Sequence, residues 1–134
     1  MAIKQMTTQE IVRDSDELRG SDADWKKIYA GLHESIKSNK YRIMRCNNTL
    51  FWYKILDQGS AQMFIFNADT QKNFLRNMKQ FAEAMKNAGF HTVMGITTNP
   101  QLFTMISRMG IQIEVEDAGV DAQNRPLYKG VAHV

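Results

Sequence analysis

Residues 63–113 read MFIFNADTQKNFLRNMKQFAEAMKNAGFHTVMGITTNPQLFTMISRMGIQI, and their pattern decides the fold. Met63-Phe64-Ile65-Phe66 is a short apolar run of strand character. Phe74, Met78, Phe81, Ala82 and Met85 follow at i, i+4, i+7, i+8 and i+11, which is one face of a helix. Gly89 stops that helix, because glycine takes the left-handed conformation a C-terminal cap needs. Thr92 to Thr97 is a second strand, rich in β-branched residues. Asn99-Pro100 opens a second helix, with proline at a first-turn position where its missing N–H is not needed. Gly110 closes it, and Ile111 to Val115 alternates apolar and polar as a half-buried strand. Two strands joined through a helix predict a parallel crossover unit.

Upstream, Thr8 is placed to cap a short helix through Leu18, with Ile11, Val12 and Leu18 as its apolar contacts and Gly20 as its end. Ser21 is an N-cap for the next helix, with Asp22 and Asp24 near the positive end of its dipole. Trp25, Ile28, Tyr29, Leu32 and Ile36 share a face of that helix. A meander follows: a strand at Tyr41–Cys46, a tight turn at Asn47-Asn48, and a strand at Thr49–Leu56. Trp52 points opposite to Phe51 and Tyr53, so both faces of that strand are covered. A turn at Asp57–Ser60 leads into the strand that ends at Asn67. Downstream, Asp117 to Pro126 reads as a polar loop and Leu127 to Val134 as a final strand. The order is α-α-β-β-β-α-β-α-β-β, an α+β fold with a mixed β-sheet flanked by helices.

The length of 134 residues suits one domain, 1–134, able to bury about two thirds of its unfolded surface. The net charge of +3 is mild and no Lys/Arg run dominates, so nucleic acid is not expected as the main ligand. The single cysteine, Cys46, excludes an intramolecular disulfide and suits a reducing, cytoplasmic compartment. No apolar run approaches a membrane span and no charged-then-apolar leader is present. Nine methionines are many for this length; they suit core filling, or else an adaptable partner surface. His33, His91 and His133 are scattered without cysteine or carboxylate at ligand spacing, so no metal site is expected. Cys46 has no nearby histidine to make it a nucleophile.

The element order resembles the GNAT N-acetyltransferase fold. The resemblance is carried locally by residues 92–113. Many GNAT proteins show Asn-x-x-Ala-x-x-x-Tyr-x-Lys-x-Gly-Phe there, and the same spacing holds Asn99, Leu102, Ile106, Arg108, Gly110 and Ile111. The resemblance implies acetyl-CoA between the strands Met63–Asn67 and Thr92–Thr97, which splay apart in the family. It places Phe66, Lys72, Arg76 and Asn99 on the cofactor if the protein is an enzyme. Glu114 and Glu116 share one strand face and are then the general-base candidates, deprotonating an amine that attacks the thioester directly.

Two departures weigh against catalysis. The family's pyrophosphate loop, Arg/Gln-x-x-Gly-x-Gly/Ala, corresponds to Ala68-Asp69-Thr70-Gln71-Lys72-Asn73-Phe74, which holds no glycine. The family tyrosine that protonates the leaving thiolate corresponds to Ile106, which has no proton to give and is expected to pack the short helix on the sheet. Plainer roles exist for the other candidates: helix capping for Asp69 and Asn99, and solvated faces for Lys72, Arg76, Glu114 and Glu116. The chain also resembles the small GNAT-like internal virion proteins of short-tailed phages. That resemblance implies a non-catalytic structural or assembly component of a phage particle, bound to another virion or host protein and needing no cofactor. The alternative is an acetyl-CoA-dependent N-acetyltransferase. A small inhibitor of a host protein is a third option.

Overall fold

The computed structural model describes residues 5–18, 24–57 and 59–134. Ten elements follow one another: α1 (Thr8–Asp14), α2 (Trp25–Lys37), β1 (Arg42–Cys46), β2 (Thr49–Asp57), β3 (Ser60–Asn67), α3 (Gln71–Asn87), β4 (Thr92–Thr97), α4 (Gln101–Arg108), β5 (Gln112–Val120) and β6 (Pro126–His133). This is the order expected from sequence. The strands form one sheet, β1-β2-β3-β4-β6-β5. β3 and β4 are parallel and joined by α3, as the crossover requires, and every other neighbouring pair is antiparallel. None of the described helices is long and apolar enough to cross a membrane.

Helices cover both faces of the sheet. On one face Phe74, Met78, Phe81 and Met85 of α3 and Phe103 and Ile106 of α4 pack on Phe51, Ala61 and Val93. Phe51 and Phe81 stack with ring centroids 4.3 Å apart. On the other face Ile11 and Val12 of α1 and Leu32 of α2 pack on Leu50 and Phe66. Trp52 joins this second cluster while Phe51 and Tyr53 join the first, because successive strand residues face opposite ways.

Several boundaries differ from the sequence reading. Thr7, not Thr8, caps α1: its Oγ1 accepts from Glu10 N, and the Glu10 carboxylate accepts from Thr7 N. The helix ends at Asp14, short of Leu18, where the Ser15 hydroxyl turns back onto Val12 O at 2.9 Å. Asp24 caps α2, accepting from Lys26 N and Lys27 N. Gly20, Ser21 and Asp22 lie outside the described residues.

The expected loop at 117–126 is mostly strand. β5 continues to Val120 through an irregularity in its register, where Gly119 takes φ +89°. Pro126 starts β6 at a strand's first position, where its missing donor is tolerated. Only 121–125 turn. The resulting hairpin lays β6, not β5, against β4. α4 bridges over β6, and Phe103 rests on the bare backbone of Gly130.

Candidate functional site

The parallel ladder between β3 and β4 is short. Ser60, Ala61 and Gln62 pair with Thr92, Val93 and Met94, and the pairing stops there. Beyond it Met63–Asn67 and Gly95–Thr97 diverge, and a gap opens in the middle of the sheet. Its inner part is an apolar cavity of about 220 Å³ bounded by Met63, Ile65, Phe66, Phe81 and Ile106 among others. Its outer part is a polar mouth of about 700 Å³ between Asp16, Asn67, Gln71, Asn99 and Arg125. Glu17 is the carboxylate that borders both parts.

Backbone alternation sets the chemistry of the β3 wall. Asn67 N–H donates to Glu17 Oε2 at 2.9 Å, and Asn67 O accepts from Asp16 N at 2.8 Å. Both groups therefore point away from β2, which makes Thr49–Asn67 a non-bonded pair of the antiparallel ladder. By alternation Phe51–Ile65 and Tyr53–Met63 are non-bonded pairs too, so the peptide groups of Met63 and Ile65 face β4 and the gap. Met63 O is accordingly only 3.5 Å from where a Cβ on Gly95 would stand.

Below the gap, the turn from β3 into α3 is filled by its own side chains. Asp69 Oδ2 accepts from Asn77 Nδ2 at 2.6 Å and from Asn48 N at 2.9 Å. Asn77 Nδ2 also donates to Thr49 Oγ1, and Thr49 Oγ1 donates to Asn67 Oδ1, each at about the 2.8–2.9 Å of a sound bond. Asn67 Nδ2 reaches Asp16 Oδ2 at 2.9 Å and Asp69 O at 3.1 Å. Thr49, Asn67 and Asn77 are buried. Every member of such a network needs a partner, because a lost one leaves a desolvated polar group.

The residues singled out from sequence scatter around this geometry. Phe66 is buried in the α1–α2 core and also lines the inner cavity. Asn99 lies at the mouth, where its Oδ1 caps the first turn of α4 by accepting from Gln101 N at 3.1 Å. Lys72 and Arg76 are exposed on α3, as a solvated face predicts. Ile106 is 3% exposed and packs α4 onto the sheet, as expected. Asp69 does not cap α3; Thr70 does, with Oγ1 accepting from Asn73 N.

Glu114 and Glu116 do share a face, but it is an open one. Their neighbour Ile113 packs on the α3–α4 side, so the glutamates point to the α1–α2 side of the sheet, and neither borders the cavity or its mouth. Both are largely exposed, Glu114 at 3.6 Å from His133 and Glu116 at 3.6 Å from Lys129. Cys46 is half-buried against the α3-side core, and burial pushes its thiol pKa up, away from the reactive thiolate.

Asp16, Glu17, Asn67 and Asn77 were not legible as site residues. Asp16 and Glu17 follow α1 by two and three positions, and only tertiary packing brings them to the end of β3, some fifty residues away.

The gap can hold an extended ligand whose own amides pair with the β3 edge. The arm of coenzyme A, with two amides on an apolar chain, is of that kind. The turn below spends two of its backbone N–H groups internally. Ala68 N already donates to Asn48 O at 3.0 Å, Asp69 N to Asn67 Oδ1 at 3.1 Å, and a carboxylate stands among them.

No protein-family model matches the chain, and no curated protein sequence matches it. Solved structures do. A ribosomal-protein-alanine N-acetyltransferase from Brucella melitensis superposes with a TM-score of 0.63 at 8% identity, over 100% of both chains. A protein of Chromobacterium violaceum named as a GNAT-family acetyltransferase gives 0.65 at 12% identity, over 94% of this chain and 78% of the other. The protein yncA from Salmonella typhimurium, named as an acetyltransferase and solved with its cofactor acetyl-CoA, gives 0.61 at 8%, over 99% and 92%. At these identities the likeness is one of architecture, and it agrees with the strand order, the crossover and the central gap: the chain has the GNAT N-acetyltransferase fold.

Proposed function

We propose that this protein is an N-acetyltransferase whose acetyl donor is a thioester on a pantetheine arm, as in acetyl-CoA, held in the gap between β3 and β4. One observation carries the reading. The two strands part after Gln62 and Met94, leaving an apolar slot with the peptide groups of Met63 and Ile65 along one wall. An arm lying there pairs with the strand edge through its amides, in the manner of an added strand.

Glu17 stands where the slot meets the polar mouth, and it replaces Glu114 and Glu116 as the base. The acceptor amine attacks the thioester carbonyl carbon; a C–N bond forms and the C–S bond breaks. Glu17 takes the amine proton, and the leaving thiolate is protonated from water, since Ile106 supplies no acid. A protein α-amine, the acceptor in the Brucella neighbour's name, is the first acceptor to try.

Calorimetric titration with acetyl-CoA, with coenzyme A as control, tests this. Saturable micromolar binding, about −8 kcal/mol, supports it. No heat at millimolar ligand removes it.

The filled turn and the buried Ile106 favour a second reading. Here the fold is kept without catalysis, and the protein acts by contact with another protein, in a phage particle or in its host. Failure to bind acetyl-CoA, together with incorporation into purified particles, supports that reading.

A further inference from the structure

We infer that the donor thioester carries an apolar acyl chain longer than acetyl, of the butyryl-to-hexanoyl class, seated in the deep end of the cavity. The inference rests on the thioester reading above and changes only the acyl group.

The cavity reaches further than the fork between the strands. β3 and β4 part after Gln62 and Met94, yet Val93, Ala132, Ile111, Val134 and Ala82 also line it. Val93 lies on the joined side of the fork, paired with Ala61 and with Ala132. Val134 N donates to His91 O at 2.9 Å, and Ile111 precedes the Gln112–His133 pair, so both stand at the end of the sheet away from the mouth. Ala82 lies about 16 Å along α3 from Gln71, by helical rise.

The two ends differ in chemistry. Towards the mouth, the peptide groups of Met63 and Ile65 face the gap and can meet an amide. At the deep end β4 is paired on both sides, to β3 and to β6, so no strand edge is left there. An amide pushed that far would be buried without a partner, at its full desolvation cost. Among the described residues lining the cavity, only Glu17 and Thr97 carry polar side chains, and both also border the mouth. The deep end therefore suits hydrocarbon alone. An apolar cavity of about 150 Å³ holds a benzene ring. This one measures about 220 Å³. An acyl chain that continues past the fork from the thioester carbonyl enters it between α3 and the start of β5, whereas acetyl leaves it empty. Transfer keeps the bond changes given above: the amine forms its C–N bond to the acyl carbonyl carbon, the C–S bond breaks, and Glu17 takes the amine proton.

The test is titration of the whole protein with acetyl-, butyryl-, hexanoyl- and palmitoyl-CoA in one buffer. Each fully buried methylene tightens binding about fourfold. Hexanoyl-CoA is expected to bind at least about tenfold tighter than acetyl-CoA, with butyryl-CoA between them. Palmitoyl-CoA, too long for the cavity, is expected to lose most of that gain. A smaller gain for hexanoyl-CoA overturns the inference and leaves the acetyltransferase reading standing. A rise that continues through palmitoyl-CoA places the chain on open apolar surface and overturns it as well. Binding of none of the four overturns the reading and the inference with it. Ala82→Leu fills the deep end from α3 with a residue that suits a helix. It is expected to cut the hexanoyl gain at least about fivefold. A gain that survives in the folded variant overturns the seat given to the chain. The series on the unaltered protein decides whether or not the variant folds.

Discussion

Asn77 Nδ2 lies 2.6 Å from Asp69 Oδ2, and through this bond the second turn of α3 holds the loop that leads into the helix. The same amide reaches Thr49 on β2, while Asn77 Oδ1 accepts from Asn47 Nδ2 at 2.8 Å. One buried side chain thus ties the β1–β2 turn, β2 and the β3–α3 turn together. Asn77→Ala is expected to destabilise the protein by about 2 kcal/mol, from the unpaired groups it leaves behind. Urea unfolding measures this. A loss below about 0.5 kcal/mol would mean that the network closes around water at no cost.

Gly130 is required by Phe103. A Cβ at 130 would stand 2.5 Å from Phe103 Cε1 and 2.7 Å from Cδ1. Gly130→Ala is expected to cost about 1–3 kcal/mol through overpacking. The penalty should largely vanish in a Phe103→Leu background, since the ring is the obstacle. A double-mutant cycle checks the coupling, and additive penalties would show that strand conformation, not the ring, selects glycine.

Acetyl transfer should separate the three glutamates. Glu17→Gln is expected to lower kcat by about 100-fold, the usual scale for losing a general base. Glu114→Gln and Glu116→Gln should leave it unchanged, because neither side chain borders the cavity or its mouth. Loss of activity in either of the latter, with Glu17→Gln fully active, would return the base to β5.

The β5–β6 turn is expected to loosen in acid. Asp121 Oδ1 accepts from Arg125 N at 2.8 Å and from Gln123 N at 2.9 Å, and Oδ2 meets Arg125 Nε at 2.8 Å. The Arg125 backbone bond, above all, holds the carboxyl below the usual carboxylate range. A depressed folded pKa contributes stability that is fully present above the unfolded value and is lost as pH falls through the folded one. Amide-exchange protection of Arg125 should therefore hold from pH 8 to 5 and fall below about pH 4. Asp121→Asn should flatten the profile. Protection that persists unchanged to pH 2 in the parent protein would contradict the assignment.

How far the sequence could be read follows from the range of the forces involved. The apolar period Phe74–Met78–Phe81–Met85, the stops at Gly89 and Gly110 and the alternation of Phe51, Trp52 and Tyr53 are local signals. Each was correctly assigned to its element, and together they determined an α+β fold with one parallel crossover. Asp117–Val120 misled because an edge strand is exposed, so its polar residues resemble a loop.

The site was another matter. Glu114 and Glu116 were correctly placed on one face, but whether that face reaches the gap depends on how β6 enters between β4 and β5. Asp69 read as a cap because a carboxylate before a helix usually is one. Its actual acceptor role depends on Asn48 and Asn77, on other elements. The sequence by itself thus determined the elements and their core faces, through periodicity and local backbone preference. The tertiary structure alone decided where β3 and β4 part, that Glu17 guards the opening, and that the turn below is filled, because each of these arises from contacts between residues far apart in the chain.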